Sequence, residues 1–168
     1  MPTIDEGKLR FTFPDDWEAS KFDEWSFYQN QFQSVCGGAK AIDVLAIEPK
    51  ECFWKIEAKD YRQHPRTKVL DLAEEIATKV RDSLAALVAA RANANDASEK
   101  GLARKALQCP RLRVVLHLEQ PKKQSKLFPR AIDPAKVQQN LKRLIKAIDP
   151  HPLVLEKSRM GNVAWTVQ

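Results

Sequence analysis

A predicted β-hairpin carries two acidic residues and a lysine at its open end, and these side chains are the ones in the sequence best suited to chemistry. The runs IDVLAI and CFWKIEAK are rich in β-forming residues and flank a short turn at residues 49–51, which contains a proline. With that turn as the loop, Asp43 lies opposite Glu57, and Lys59 follows on the same face because side chains alternate along a strand. We therefore expect the three side chains to gather at the open end.

The other face of the hairpin supports the same register. A shift of one residue would turn every side chain to the opposite face, so a consistent core face is a test of the pairing. Glu48 then lies opposite Cys52, and Leu45 opposite Lys55. The face turned away from the acids is apolar throughout: Ile42, Val44, Ala46, Trp54, Ile56 and Ala58. This face is expected to pack into the core.

Two carboxylates on a half-buried sheet favour a bound divalent cation. Burying them without a partner costs free energy, and Mg²⁺ is commonly held by one or two carboxylates with water and phosphate completing its shell. Asp43, Glu57 and the backbone carbonyl of Ala58 would supply oxygen ligands to Mg²⁺ (or Mn²⁺). Lys59 would orient or deprotonate an attacking water, or neutralise charge on a phosphate.

An acid at the start of one strand, followed by Glu-x-Lys at the end of the next, resembles the PD-(D/E)xK signature of the restriction-endonuclease-like nucleases. The match here is Asp43, thirteen further residues and then Glu57-Ala58-Lys59, with Ile42 in place of the signature proline. The resemblance implies an α/β fold with an αβββαβ core, in which helices flank a central mixed sheet. It also implies Mg²⁺-dependent hydrolysis of DNA, with Asp43, Glu57 and Lys59 as the catalytic residues.

In the resembled family an acid of the first helix often joins the metal site. Glu24 is the candidate in this sequence, chosen from Glu18, Asp23 and Glu24. The alternative is that all three are solvated helix charges.

The remaining elements are predicted from hydrophobic spacing and breakers. A strand or arm at LRFTFP precedes a helix from residue 17 that ends at two glycines, 37 and 38. A long helix follows over residues 67–93, with Glu75 and Lys79 on its solvated side, and then a buried strand over 111–119. The alternative for Lys79 is that it approaches the site. Beyond the αβββαβ core we expect a helix starting at residues 133–134 and a C-terminal β-hairpin that turns at residues 160–162.

Charge is distributed unevenly along the chain. Residues 1–99 hold 13 Lys and Arg against 18 Asp and Glu, whereas residues 100–168 hold 15 against 4. A basic C-terminal part beside an acidic site suits a protein that binds a phosphate backbone, and the helix after residue 133 carries a basic stripe. The alternative is a solvated basic face that contacts no nucleic acid.

Basic and aromatic residues in three loops are the candidate nucleic-acid contacts. They lie before the hairpin, directly after it, and in the segment PKKQSKLFPR, where they flank Phe128: Lys40, Tyr61, Arg62, Arg66, Lys122, Lys123, Lys126 and Arg130. Each has a structural alternative, such as a solvated lysine or a bond between Asp60 and Arg62 that braces the loop.

Composition excludes several other classes of protein. No apolar run reaches membrane-spanning length and no signal-peptide core opens the sequence, so we expect one cytoplasmic domain over residues 1–168 that contacts no membrane. Three cysteines without paired spacing support neither a disulfide framework nor a zinc site. The sequence thus predicts a DNA nuclease, with a homodimer or a partner chain as a source of specificity. The alternative is a noncatalytic nucleic-acid-binding or assembly subunit that retains the nuclease fold.

Overall fold

Two β-sheets and three α-helices make up the computed structural model of the protein, which describes residues 1–122 and 131–168. The larger sheet has five strands in the spatial order β3 (Glu18–Lys21), β4 (Val44–Glu48), β5 (Cys52–Asp60), β6 (Arg111–Glu119) and β7 (Leu153–Leu155). The smaller sheet has the order β1 (Thr3–Glu6), β2 (Leu9–Thr12) and β8 (Thr166–Val167). In the larger sheet β3, β4 and β5 pair antiparallel, whereas β6 and β7 run parallel to β5. The prediction of an α/β fold with a mixed sheet is confirmed.

The helices are α1 (Leu72–Asn93), α2 (Ala97–Gln108) and α3 (Pro134–Ile145). Each begins after an aspartate whose carboxylate accepts hydrogen bonds from backbone amides of the first turn, which otherwise lack partners: Asp71, Asp96 and Asp133. A proline at the first position of α3 fits there because that residue needs no amide donor. Among the described helices, none is long and apolar enough to span a membrane.

Both faces of the five-stranded sheet are buried. The helices cover one face, where Leu45, Ile47 and Phe53 join the larger apolar cluster. The three-stranded sheet covers the other face, where Val44 and Ile56 pack in a cluster with four aromatic residues: Phe11, Phe13, Trp17 and Trp165. The strands therefore need apolar residues on both sides, which explains why β4 is continuously apolar from Val44 to Ile47.

The predicted hairpin register is correct within the ladder. Glu48 pairs with Cys52, and Leu45 with Lys55. The ladder ends one pair before Asp43, which lies in a bend, and Ile42 belongs to the helix-covered cluster rather than to the face predicted for it. The carbonyl of Asp43 accepts the amide of Phe22 at 2.8 Å, in line with the register between β3 and β4, so contact with the β3 side continues where the pairing with β5 stops.

The predicted helix from residue 17 is wrong. Residues 18–21 form the edge strand β3 instead, paired antiparallel with β4. Only short helical turns follow, at Phe22–Glu24, Tyr28–Phe32 and Val35–Gly37. The aromatic side chains that suggested a helix are divided between the two faces: Trp17 packs under the small sheet, whereas Trp25 and Tyr28 join the other cluster.

The predicted C-terminal hairpin is also wrong, whereas β6 has the predicted bounds. β7 extends the large sheet beside β6, and β8 instead pairs with β2 in the small sheet.

Between β6 and α3, the Gln120 side chain clamps one backbone position: its Nε2 donates to the carbonyl of Ile132 at 3.0 Å, and its Oε1 accepts the amide of Ile132 at 3.1 Å.

Candidate functional site

Two carboxylates and two ammonium groups meet at the open end of the β4–β5 hairpin. Lys59 Nζ lies 2.7 Å from Glu57 Oε1, and Lys79 Nζ lies 2.5 Å from that oxygen and 3.4 Å from Asp43 Oδ1. The second oxygen of Asp43 accepts the backbone amide of Ala58 at 2.8 Å, so this carboxylate continues the ladder where the strand has bent away. The structure thus brings Asp43, Glu57 and Lys59 together, as the hairpin register predicts.

Helix α1 crosses this end of the hairpin and supplies two further charged residues, of which Glu75 is the one that sequence reasoning missed. Glu75 and Lys79 are four residues apart and therefore face the same way along the helix. The sequence predicts both on the solvated side, with an approach of Lys79 to the site as the alternative. In the structure Lys79 is only 16% exposed and contacts the site, and Glu75 is buried. The spacing of the pair is visible in the sequence, but the direction in which it faces depends on how α1 packs on the sheet.

Glu75 extends the cluster toward the loop that precedes α1. Its carboxylate contacts Lys59 at 3.5 Å, Lys68 at 2.9 Å and Arg66 at 2.7 Å. The result is a continuous chain of alternating charges from Arg66 and Lys68 through Glu75, Lys59, Glu57 and Lys79 to Asp43. We call this set the ion-pair chain.

The pKa values in the ion-pair chain reflect burial opposed by neighbouring charge. Burial, assisted by the charge of Asp43, raises the pKa of Glu57 to about 7, although Lys79 and Lys59 act against this. Burial alone would lower the pKa of Lys59, but the carboxylates around it hold that pKa above its usual value. Burial alone would raise the pKa of Glu75, but hydrogen bonds from Lys68 and Arg66, with the charge of Lys59, outweigh it and lower that pKa to about 2.

The acid from the first predicted helix lies elsewhere. Glu24 is exposed, and its carboxylate pairs with Lys21 at 2.6 Å. Its neighbour Asp23 lies closer to the site: its Oδ1 is buried without a hydrogen-bond partner, and burial together with the charge of Asp43 raises its pKa to about 6. Asp23, rather than Glu24, is therefore the acid of this segment whose charge interacts with Asp43 of the ion-pair chain.

The donor set does not fit the predicted Mg²⁺ as it is arranged. Glu57 Oε2 is buried without a hydrogen-bond partner, which is a feature that a cation would satisfy. The ammonium of Lys79, however, lies between the two carboxylates that would hold the ion. No three His, Cys, Asp or Glu residues in the ranges 1–122 and 131–168 are grouped so as to hold a metal ion.

A further lysine on the same face of β5 contacts a backbone carbonyl rather than a carboxylate. Lys55 is fully buried beneath α1, where its ammonium donates to the carbonyl of Val80 at 3.0 Å. Burial lowers its pKa to about 7. On the opposite face, buried His117 contacts Glu119 through Nε2 at 2.9 Å, and burial lowers the histidine pKa. Both groups lie within the fold rather than at an accessible site.

The predicted nucleic-acid contacts are spread over the surface near the hairpin. Lys40 and Lys122 are exposed. Arg62 makes a two-point ion pair with Asp60, at 2.8 and 2.6 Å, and so braces the loop. Arg66 donates to the hydroxyl of Tyr61 at 3.1 Å and is otherwise held by the ion-pair chain. Lys123, Lys126 and Arg130 lie outside the described residues, and a DNA partner, a homodimer and a partner chain stay predictions.

A second basic surface lies on α3. Val137, Leu141 and Ile145 face the core, and the opposite side of the helix and its end carries four exposed cations: Lys136, Lys142, Arg143 and Lys146. No carboxylate within the described residues forms an ion pair with them. A groove of about 350 Å³ borders this face, and its walls include Lys142 and His151. We call the four cations the α3 basic face.

The chain is similar to a protein named cysteine–tRNA ligase from Neisseria meningitidis serogroup A / serotype 4A (strain DSM 15465 / Z2491). The two are 35% identical over 164 residues, and the match covers 79% of this chain and 23% of the relative. The chain therefore spans less than a quarter of the length of that relative. No family model matches the sequence, and no solved structure matches the chain.

This similarity contradicts the nuclease interpretation, because the relative is named as a ligase of cysteine and tRNA. The resemblance to the PD-(D/E)xK superfamily, the metal-dependent hydrolysis of DNA and the alternative of a noncatalytic subunit with the nuclease fold are therefore wrong. The motif consists of only three residues, and in the structure Asp43, Glu57 and Lys59 are joined to Lys79 in ion pairs. The similarity relates the chain to part of a tRNA ligase instead.

Proposed function

We propose that the chain acts in the joining of cysteine to tRNA, as a region that contacts the tRNA in a protein of the cysteine–tRNA ligase type. The observation that carries this proposal is the 35% identity to a cysteine–tRNA ligase over 79% of the chain. Because the chain spans only 23% of that relative, we assign to it a part of the function rather than the whole reaction.

The α3 basic face supplies the contact surface. Its four cations are exposed on one helix, and tRNA carries a phosphate charge at every nucleotide, so the two are complementary in charge. Exposed lysines are free to approach phosphates, whereas Arg66 and Lys79 are held in buried ion pairs and would have to break them first. Contacts to the phosphate backbone position a nucleic acid without reading its sequence.

Binding of tRNA to the purified full chain tests the proposal. The probe is a transcript of tRNA specific for cysteine, compared with duplex DNA of equal length. We expect the transcript to bind more tightly than the DNA and the binding to weaken as salt rises. Equal affinity for the two nucleic acids, or no binding of the transcript near physiological salt, would sink the assignment.

A pair of matched variants locates the surface. The double variant Lys142→Gln/Lys146→Gln removes two charges from the α3 basic face. The variant Arg91→Gln/Arg104→Gln removes two exposed charges from α1 and α2 and serves as the control. We expect only the first to weaken binding of the transcript, by about tenfold or more.

For the fold alone, we propose a restriction-endonuclease-like arrangement of strands. The support is the antiparallel series β3–β4–β5 followed by a crossover through α1 and α2 to β6, parallel to β5. The first helix of the αβββαβ order is replaced by short helical turns. This arrangement brings no activity with it, because function depends on the residues placed on a fold.

A further inference from the structure

We propose that Lys79 is a built-in counter-ion, which lies where a divalent cation would bind between Asp43 and Glu57, and that the acid pair binds a divalent cation only when this ammonium is removed. The inference concerns the buried cluster and does not rest on the proposed function.

Lys79 lies in the position that a bridging cation would take. Lys79 Nζ contacts one oxygen from each acid, Asp43 Oδ1 at 3.4 Å and Glu57 Oε1 at 2.5 Å. A cation shared by two carboxylates makes the same kind of bridge. The lysine reaches this point from α1, which is separated in sequence from both acids, so the bridge depends on how the helix packs across the hairpin.

The charges of the cluster point the same way. When both acids are ionised, Asp43 and Glu57 carry two negative charges, which Lys59 and Lys79 balance with two positive charges at contact distance. Glu75 has its own cations in Arg66 and Lys68. A divalent ion added to this neutral group would leave excess positive charge in a buried place, which is costly.

Removal of the Lys79 ammonium would leave carboxylate oxygens with few partners. Glu57 is 1% exposed and its Oε2 already lacks a hydrogen-bond partner. Without Lys79, Asp43 Oδ1 would also be deprived of its neighbouring cation, and Lys59 would be the remaining positive charge in direct contact with the pair. Carboxylate oxygens with too little positive charge around them are the ligands that Mg²⁺ and Mn²⁺ prefer.

The experiment measures Mn²⁺ binding to the full chain by the decrease of the free-ion electron paramagnetic resonance signal. We expect no stoichiometric binding to the wild type and one bound ion per chain in Lys79→Met, with affinity at least about tenfold higher than in the wild type. Adding Glu57→Gln to Lys79→Met should abolish the gain. Lys68→Met is the matched control, since Lys68 contacts Glu75 but neither acid of the pair, and it should gain nothing.

Several results would overturn the inference. One is a wild-type chain that binds a single Mn²⁺ which Glu57→Gln removes, because the ammonium would then not exclude the ion. Others are a folded Lys79→Met that binds no Mn²⁺, or equal gains in Lys79→Met and Lys68→Met. If Lys79→Met does not fold, the inference is tested by Mn²⁺ titration of the wild type and of Lys79→Arg. Lys79→Arg keeps the positive charge, so neither protein should bind Mn²⁺, and binding by either would contradict the inference.

Discussion

Lys55 of β5 donates a hydrogen bond from its ammonium to the backbone carbonyl of Val80 in α1, over 3.0 Å, with no exposure to solvent. The bond joins the centre of the sheet to the helix that carries Lys79. Burial lowers the pKa of Lys55 from 10.5 to about 7, so near neutral pH the folded protein holds this lysine partly uncharged.

Lys55 should make stability rise with pH above neutrality. Between pH 7 and 10.5 the folded chain has released the Lys55 proton while the unfolded chain retains it, so the free energy of unfolding grows by up to roughly 1.4 kcal/mol per pH unit. We expect Lys55→Met to lack this dependence, so that its stability relative to the wild type falls from pH 7 to pH 9. Urea unfolding of both proteins at several pH values measures this difference in stability. Lys136→Met, at an exposed site on α3, should show no such trend, and a difference that stays constant with pH for Lys55→Met would contradict the prediction.

Glu75 should stabilise the fold at pH values above its ordinary pKa. Its pKa is depressed from 4.5 to about 2, so its contribution is present above about pH 4.5 and disappears as the pH falls toward 2. Glu75→Gln leaves Arg66, Lys68 and Lys59 without this carboxylate, and we expect a cost of about 1–3 kcal/mol at pH 7 that disappears in acid, measured by urea unfolding. The neighbouring exposed Glu74→Gln should stay within about 0.5 kcal/mol of the wild type. Equal effects of the two substitutions would show that the buried contacts of Glu75 contribute little.

Asp43 combines a charge with a backbone hydrogen bond, and two substitutions separate these roles. Asp43→Asn keeps an oxygen that can accept the amide of Ala58, whereas Asp43→Ala removes it. We expect the alanine variant to be less stable than the asparagine variant by about 1–3 kcal/mol, because the half-buried amide then has no acceptor. Hydrogen exchange at the Ala58 amide should be protected in the wild type and in Asp43→Asn but faster in Asp43→Ala. Equal exchange in all three would refute the assignment.

Salt dependence should report the number of phosphates that the α3 basic face binds. Removing one cation that pairs with a phosphate lowers the slope of log affinity against log salt by roughly 0.7–0.9. We expect Lys142→Gln to reduce the slope for the tRNA transcript by about that amount, and Arg104→Gln to leave it unchanged. If both substitutions change the slope by the same amount, the bound phosphates lie elsewhere on the chain.

Local patterns predict the hairpin correctly, because its pairing depends on residues close in sequence. A proline-containing turn and the alternation of side chains determine the pairing of Leu45 with Lys55 without reference to the rest of the chain. The same reasoning fails at Asp43, where the ladder to β5 has ended and a carboxylate oxygen of Asp43 accepts the amide of Ala58. A side chain that accepts a ladder amide leaves no periodic signal in the sequence.

Contacts over long sequence separations also explain the errors in the first helix and in the site. Aromatic residues between Trp17 and Tyr28 recur at intervals close to those of a helix, yet Glu18–Lys21 gains a full ladder with β4, and such tertiary pairing overrides local preference. The sequence does not decide between a solvated position and an approach to the site for Lys79, because Glu75 precedes it by four residues, which is also the spacing of a surface ion pair. Only the packing of α1 across the hairpin shows that both side chains point inward.

The amide clamp between Gln120 and Ile132 ties the end of β6 to the approach to α3. Both hydrogen-bonding groups of one side chain hold the backbone of Ile132, so the two elements are joined at this point by Gln120 itself. The position of α3 relative to the end of β6 is therefore set in part by a residue of the sheet side, next to the last residue of the strand.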